Sequence, residues 1–280
     1  MIGVFDSGFG GLTVHRALVD TLPERDFVYL GDNWNAPYGM KTPIEVLNLT
    51  CAGLERLFRE GCTLAILACN TASVVALRWI QQQWLPARCR QDGVRRNVLG
   101  IVVPTIEAAT GLRWDQEPAA SNTRRRSTIA IFATPRTVET DCYPIEIRKR
   151  RPDIAVVQQS CPELAGAIEQ GASRKELDAL VKQYVAELRQ RVETPDCAIL
   201  GCTHYPLVAD LFAAALPSGI PLIHQPQATA RALQAYLQRH PGYDAGNGGQ
   251  RIFLSTGFSA EALPLIERFW GERIDFQAAC

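Results

Sequence analysis

Short runs of apolar residues alternate with longer amphipathic stretches along most of the chain. The apolar runs predict β-strands at Ile2–Phe5, Phe27–Leu30, Leu64–Ala68, Val98–Val103, Ile129–Ala133, Ala155–Gln158, Cys197–Gly201 and Arg251–Ser255. The amphipathic stretches predict helices that begin near Gly11, Ile44, Thr71, Thr137, Lys175, Thr229 and Ala260. Strands that alternate with helices are typical of a parallel sheet covered by helices. The pattern therefore predicts an α/β protein with mainly parallel sheets.

Two polar or irregular stretches, Gln82–Arg96 and Trp114–Ser127, interrupt this alternation. Such stretches are typical of surface loops, so we interpret both as insertions that flank the start of a second domain. The helix predicted at Thr229 and the strand at Arg251 return to the first domain. The sequence thus predicts a discontinuous first domain of residues 1–98 and 208–280, and a second domain of residues 99–207.

The chain also resembles itself in two places. Ile2–Ser7 (IGVFDS) resembles Ile129–Thr134 (IAIFAT), and Ala65–Thr71 (AILACNT) resembles Ala198–His204 (AILGCTH). The two pairs are separated by nearly the same number of residues, which indicates an internal duplication. We therefore expect two similar α/β halves.

Composition narrows the class of function. Hydrophobic residues make up 47% and charged residues 21% of the chain, as in ordinary globular proteins. Lysine plus arginine equals aspartate plus glutamate at 29 each, so no net charge attracts nucleic acid or an anionic membrane. No basic leader or long apolar segment is present, so we expect neither secretion nor membrane insertion. A small-molecule substrate is the expected partner.

The chain contains nine cysteines, an odd number without a repeating spacing. This usage predicts reduced thiols in the cytoplasm. Most of these residues are interpreted as small buried side chains. Cys69 and Cys202 differ, because each follows a matching apolar strand and precedes polar residues.

Ligands of open α/β sheets gather beyond the carboxyl ends of the strands, where Cys69 and Cys202 are predicted to lie. Two thiols from two facing halves suit racemisation, in which one thiolate removes an α-proton and the other thiol returns a proton to the opposite face. The resulting carbanion requires nearby donors. Asn70, Thr71 and Thr203 are close enough in sequence to donate.

Two further residues can exchange protons beside the sulfurs. Asp6 ends the first strand, and His204 lies two residues after Cys202. After Asp6 the segment Ser7–Thr13 (SGFGGLT) predicts a carboxylate-binding turn at a helix start. It is not a dinucleotide fingerprint, because Thr13 occupies the position of the third glycine. A second loop, Gly31–Gly39 (GDNWNAPYG), follows the next strand and is predicted to close over the same ligand.

Together these motifs resemble those of the bacterial glutamate racemases in the aspartate/glutamate racemase superfamily. The matching segments are Asp6–Val14, Pro37–Gly39, Ala68–Ser73, Gly201–Leu207 and Thr256–Gly257. The resemblance implies two pseudo-symmetric three-layer α/β/α domains with the active site in the cleft between them. It also implies a cytoplasmic homodimer that needs no cofactor and supplies D-glutamate for peptidoglycan.

The resemblance assigns roles to individual residues of this sequence. Cys69 and Cys202 would be the catalytic pair, assisted by Asp6 and His204. The residues implied to bind substrate are Asp6, Ser7, Tyr38, Gly39, Asn70, Thr71, Thr203 and His204. Glu169 is a further candidate for an auxiliary acid, and no metal site is expected.

Some positions depart from the usual pattern of the family. Trp34 and Asn35 stand where many members carry a small residue and an arginine. Gly100–Glu107 differs from the more frequent Glu-Pro-Gly form, and His224–Pro226 replaces a common Asp-Ser pair. These departures leave aspartate racemisation, or dual aspartate and glutamate racemisation, as the alternative function.

Two other classes of protein remain as hypotheses. A zinc protein could use Cys69, Cys202, His204 and Asp6 as ligands, although no close Cys-x-x-Cys spacing is present. A cysteine hydrolase or amidotransferase could pair one thiol with His204. That mechanism leaves the second cysteine without a role.

Overall fold

The computed structural model describes residues 1–113, 116, 127–243, 246 and 248–279. Their strands are β1 Ile2–Asp6, β2 Phe27–Gly31, β3 Leu64–Leu67, β4 Asn97–Gly100, β5 Thr128–Ala133, β6 Ala155–Ser160, β7 Cys197–Gly201, β8 Leu222–Ile223, β9 Arg251–Ser255 and β10 Gln277–Ala278. One sheet has the order β10-β9-β2-β1-β3-β4 and the other β6-β5-β7-β8. Every recorded pairing is parallel, which confirms the predicted α/β class.

Helices connect the strands and cover the sheets. They are α1 Leu12–Thr21, α2 Pro43–Arg59, α3 Asn70–Val75, α4 Leu77–Trp79, α5 Leu85–Asp92, α6 Val102–Thr110, α7 Pro135–Glu139, α8 Cys142–Arg150, α9 Leu164–Glu169, α10 Arg174–Arg189, α11 Ala209–Ala215, α12 Gln225–Arg239 and α13 Leu263–Trp270. Among the described residues, none of these helices has both the length and the apolar character needed to cross a membrane.

Successive residues of the central strands point into different cores. In β1, Ile2 and Val4 contribute to one hydrophobic cluster and Phe5 to another. In β5, Ala130 and Phe132 join the same cluster as Ile2, whereas neighbouring residues face a third cluster. Alternate side chains of a strand point to opposite faces of its sheet, so each sheet is covered on both faces. The cluster shared by β1 and β5 runs continuously from one sheet to the other.

The predicted strand Val98–Val103 is wrong in its second half. The strand ends at Gly100, and α6 begins at Val102. A short run of apolar residues fits a buried strand and the first turn of a buried helix equally well, so hydrophobicity alone did not mark the change.

The prediction of an irregular insertion at Gln82–Arg96 is also wrong. A π-helical segment, Ile80–Trp84, leads directly into α5. Trp84 stacks on Phe58 of α2, with ring centroids 6.0 Å apart, so tertiary packing supports a helix whose sequence is mostly polar. The other predicted insertion, Trp114–Ser127, lies almost wholly outside the described residues.

The chain passes from the first sheet to the second through α6, which follows β4, and returns through α12, which follows β8. Helix α12 packs against α1 of the first sheet. The predicted domain bounds stay a prediction; β8, which lies within residues 208–280, pairs with β7 of the second sheet.

Candidate active site

Asp6 is the last residue of β1 and is completely buried. Its Oδ2 accepts a hydrogen bond of 3.0 Å from the backbone N–H of Gly8. Burial raises the pKa of this carboxyl to about 6, although the charge of His204 and the amides of Gly11 and Gly8 oppose the rise. Asp6 is therefore poised to gain or lose a proton near neutral pH.

Cys69 lies just beyond β3 and forms the N-cap of α3. Its thiol donates to Oγ of Ser7 at 3.4 Å, and its sulfur accepts the N–H of Ala72 at 3.4 Å. Burial raises the pKa of Cys69 to about 12, and the neighbouring Asp6 raises it further. The thiol is accordingly neutral at physiological pH.

Cys202 follows β7 directly and has a different partner. Its sulfur lies 3.6 Å from Nδ1 of His204, whose Nε2 lies 2.8 Å from Oε1 of Glu169. Burial lowers the pKa of His204, but Glu169 and Cys202 outweigh that effect and raise it well above its usual value. His204 is thus an imidazolium in contact with the Cys202 sulfur.

The glycines after β1 allow groups from the second sheet to approach. A Cβ at Gly10 would lie 2.7 Å from both Nδ1 of His204 and Oγ1 of Thr203, and one at Gly8 would lie 2.6 Å from Oε1 of Glu169. Thr203 donates to Oδ1 of Asp6 at 3.4 Å. The strand end that carries Asp6 therefore faces the strand end that carries Cys202.

Thr71 contacts the second sheet through its hydroxyl. Its Oγ1 lies 3.1 Å from Oγ1 of Thr134 and 3.4 Å from Oγ1 of Thr137. Thr134 is the counterpart of Ser7 in the internal duplication. The sequence did not single out these two threonines as site residues, although their position after β5 was a usable signal.

Asn70, which follows Cys69, is buried and held by hydrogen bonds. Its Nδ2 donates to Oε1 of Gln225 at 2.9 Å, and its Oδ1 accepts the hydroxyl of Tyr143 at 2.8 Å. Sequence patterns did not identify either partner, because neither lies near Asn70 in the chain.

Tyr38 and Gly39 lie in the loop that follows β2. The buried Tyr38 hydroxyl donates to Oδ2 of Asp32 at 2.6 Å. Asp32 also accepts both the Asn35 amide and the Thr256 hydroxyl, so it organises this loop, although the sequence analysis did not select it. A Cβ at Gly39 would lie 2.8 Å from Cβ of Thr134.

Two cavities are lined by residues of both this loop and α9. One, of about 600 Å³, is lined by residues that include Gly39, Thr134 and Gly166. The other, of about 580 Å³, is lined by residues that include Trp34 and Glu169. Trp34 is 80% exposed, whereas Cys69 and Cys202 are buried.

The predicted residues thus lie near one another where the two sheets meet. Cys202 contributes to the raised pKa of Cys69, so the sulfurs are close enough to interact electrostatically. Within the described residues, no group of three or more histidine, cysteine, aspartate or glutamate side chains is arranged to hold a metal ion. The zinc hypothesis therefore finds no support in this geometry.

Comparison with known proteins places the chain among racemases. A family model described as Asp/Glu/Hydantoin racemase matches residues 11–233. Glutamate racemases of Caulobacter sp. (strain K31) and Phenylobacterium zucineum (strain HLK1) are each 54% identical over 281 residues, covering 99% of both chains. The crystal structure of Francisella tularensis glutamate racemase in complex with D-glutamate is 25% identical, covers 98% of this chain and 95% of its own, and has a TM-score of 0.81.

Proposed function

The chain belongs to the Asp/Glu/Hydantoin racemase family, and we propose that Cys69 and Cys202 are the two groups that move the α-proton of its substrate. The enzyme is an amino-acid isomerase that interconverts L- and D-glutamate without pyridoxal phosphate. The predicted function is therefore confirmed at the level of the reaction, and the aspartate alternative is not favoured. The residues that perform the reaction are the subject of the proposal.

The matching placement of the two cysteines carries this proposal. Cys69 follows β3 of one sheet and Cys202 follows β7 of the other, and each sulfur has its own acid-base neighbour. Asp6 serves the Cys69 side and His204, held by Glu169, serves the Cys202 side. A hydrolase mechanism leaves this duplication unexplained, because it needs a single thiol.

In one direction of the reaction, Cys202 removes the α-proton as a thiolate and the neutral Cys69 thiol returns a proton to the opposite face. Afterwards the two residues have exchanged states, and the same steps in reverse convert the other enantiomer. After the product leaves, the starting states return when Cys202 releases its proton to solvent and the Cys69 thiolate takes one proton from solvent.

The carbanion between the two sulfurs requires donors placed where negative charge develops. We propose that substrate contacts come from the two strand ends and the loop over them. The residues are Asp6, Ser7, Tyr38, Gly39, Asn70, Thr71, Thr203 and His204.

We also propose the setting in which the enzyme works. It is a cytoplasmic homodimer that supplies D-glutamate for peptidoglycan, with domains at residues 1–98 plus 208–280 and at residues 99–207, except that β8 belongs with the second domain. The free thiols of the described cysteines support a reducing compartment.

The decisive experiment follows hydrogen exchange in deuterated water. The unaltered enzyme should exchange the α-hydrogen of either enantiomer and form its mirror image. Cys69→Ala and Cys202→Ala should each lower interconversion by about a thousandfold or more, because the remaining base reaches only one face. Each variant should still exchange the α-hydrogen of one enantiomer, and the two variants should favour opposite enantiomers.

Cys62→Ala provides the matched control, because Cys62 is equally buried but lies outside the site. It should interconvert the enantiomers at the unaltered rate. If Cys69→Ala and Cys202→Ala both keep full interconversion, the two-thiol assignment is wrong. Circular dichroism with aspartate as the sole substrate should show much slower interconversion than with glutamate.

A further inference from the structure

A second polar cluster lies next to the thiols, and apart from Asn70 its members have no role in the mechanism above. It consists of Asn70, Thr105, Tyr143 and Gln225, which we call the amide clamp. All four side chains are buried. The Gln225 Nε2 lies 3.1 Å from Oδ1 of Asn70, 3.0 Å from Oγ1 of Thr105 and 3.0 Å from the Tyr143 hydroxyl.

The clamp lies where the chain crosses between the two sheets. Thr105 belongs to α6, the helix of the outward crossing, and Gln225 is the first residue of α12, the helix of the return. Tyr143 belongs to α8, which lies between β5 and β6 of the second sheet in the sequence. Asn70 begins α3, which follows β3 of the first sheet. The hydrogen bonds therefore join Asn70 to both connections between the two halves.

The clamp determines the direction of the Asn70 amide. Its oxygen accepts hydrogen bonds from Tyr143 and Gln225, and its Nδ2 donates one to Oε1 of Gln225. A side-chain amide carries two N–H donors, so one N–H of Asn70 remains for another acceptor. Because Gln225 bonds both ends of this amide, the group cannot flip without breaking two hydrogen bonds.

Burying these polar groups is costly unless all of them are satisfied. An apolar residue at position 225 would leave Nδ2 of Asn70 without its acceptor, so Gln225 both satisfies and orients the amide. Thr105 and Gln225 contact each other although they lie 120 residues apart in the sequence.

We propose that Gln225 is a positioning residue that aims the remaining N–H of Asn70 at a carboxylate of the bound amino acid. Thr105 and Tyr143 hold Gln225 in turn, so the donor keeps its place relative to both halves of the site. This inference rests on the proposed function, because it assigns a ligand to Asn70 beside the reacting thiol of Cys69.

Gln225→Met tests the proposal, because methionine has a similar size and shape but forms none of these hydrogen bonds. We expect kcat/KM for glutamate to fall by about ten- to a hundredfold, with a larger change in KM than in kcat. The assay is run well below the unfolding temperature. A purely structural role would lower the melting temperature and leave KM unchanged, which would overturn the proposal.

A matched pair of variants separates the effect of disrupting the clamp from the effect of removing any buried hydroxyl. Thr50 and Thr105 are both buried, and each hydroxyl donates at 2.6 Å to the carbonyl four residues earlier. Only Thr105 also accepts from Gln225. Thr105→Val should raise KM by about threefold or more, whereas Thr50→Val should lose similar stability with unchanged KM. Equal KM values for the two variants would overturn the proposal, even if Gln225→Met fails to fold.

A double-mutant cycle with Asn70→Ala shows whether Gln225 acts through Asn70. Once Asn70 is removed, adding Gln225→Met should change kcat/KM by less than about twofold. An equal loss in both backgrounds would mean that Gln225 acts independently, and the clamp assignment would be wrong while the racemase function stands. Failure of the unaltered protein to interconvert glutamate would instead refute the proposed function.

Discussion

At the scale of single residues, His15 is an exception to the rule that buried polar groups are hydrogen-bonded. It is completely buried in α1, and neither ring nitrogen has a hydrogen-bond partner among the described residues. Its ring is surrounded by aromatic side chains and stacks on Trp270 at 5.2 Å between centroids. Burial, followed by the charge of Arg251, lowers the pKa of His15 to about 3.

His15→Phe should therefore stabilise the protein, most of all in mild acid. The unfolded chain binds a proton at His15 below pH 6.5, whereas the folded chain does so only near pH 3. The free energy of unfolding therefore falls as the pH drops below 6.5. His15 accounts for about 2 kcal/mol of this loss between pH 8 and pH 5. Urea unfolding at both pH values should show this loss in the unaltered protein and a smaller one in the variant.

The exposed His240 supplies the control, because His240→Phe removes an imidazole that folding does not bury. The raised pKa of Asp6 changes the free energy of unfolding with pH in the opposite direction. This contribution is the same in the unaltered protein and in the variant, so it cancels when their pH dependences are compared. An unchanged pH dependence in His15→Phe would show that the buried imidazole does not titrate as its environment indicates.

At the scale of elements, two long helices begin with the same capping box. Thr42 caps α2 through the N–H of Glu45, and Ser173 caps α10 through the N–H of Glu176. In both, the carboxylate bonds back to the capping residue. These reciprocal bonds satisfy N–H groups that a helix start otherwise leaves unpaired, and they explain why the helices begin there.

Thr42→Ala and Ser173→Ala should each lower the free energy of unfolding by about 1 kcal/mol. Because one hydrophobic cluster runs through both sheets, we expect both variants to shift a single shared unfolding transition. Urea unfolding followed by circular dichroism measures the shift, and Thr42→Ser, which keeps the cap, is the control. Two separate transitions, each moved by one variant, would contradict the expected cooperativity.

At the scale of the whole molecule, the two halves are in contact across the mouth of the site. Gly39 lies against Thr134, and Nε of Arg136 donates to the carbonyl of Lys41 at 2.8 Å. Because the sulfurs of Cys69 and Cys202 are buried, we expect glutamate to enter when the halves separate and to be positioned when they close.

Gly39→Ala should hinder the closed arrangement, because its Cβ would lie 2.8 Å from Cβ of Thr134. We expect KM for both enantiomers to rise by about tenfold or more, since closure positions the substrate. Steady-state kinetics measures the effect. Gly166→Ala is the control, because a Cβ at Gly166 of α9, which lines the same cavity, meets no atom within 4 Å. Equal KM values in the two variants would show that Gly39 does not limit closure.

The sequence alone determined the α/β class and most strand positions, and it pointed to the two thiols on which the proposed mechanism depends. These features are local, since alternating apolar runs identify strands and a polar residue after a run identifies a strand end. The duplicated strand ends then indicated that Cys69 and Cys202 belong to one site. Local patterns failed where a single pattern fits two structures, as in Val98–Val103, or where packing supports a polar helix, as in α5.

Only the tertiary structure decided which groups meet across the two sheets. Asp32 beneath Tyr38, Thr134 beside Thr71, and Gln225 on Asn70 are partners that no spacing in the chain predicts. Hydrophobic periodicity reports which face of an element is buried, but a hydrogen bond between distant segments depends on how whole elements pack. The chemistry of this site therefore follows from the sequence, whereas the direction of each donor follows from the packing of the two halves.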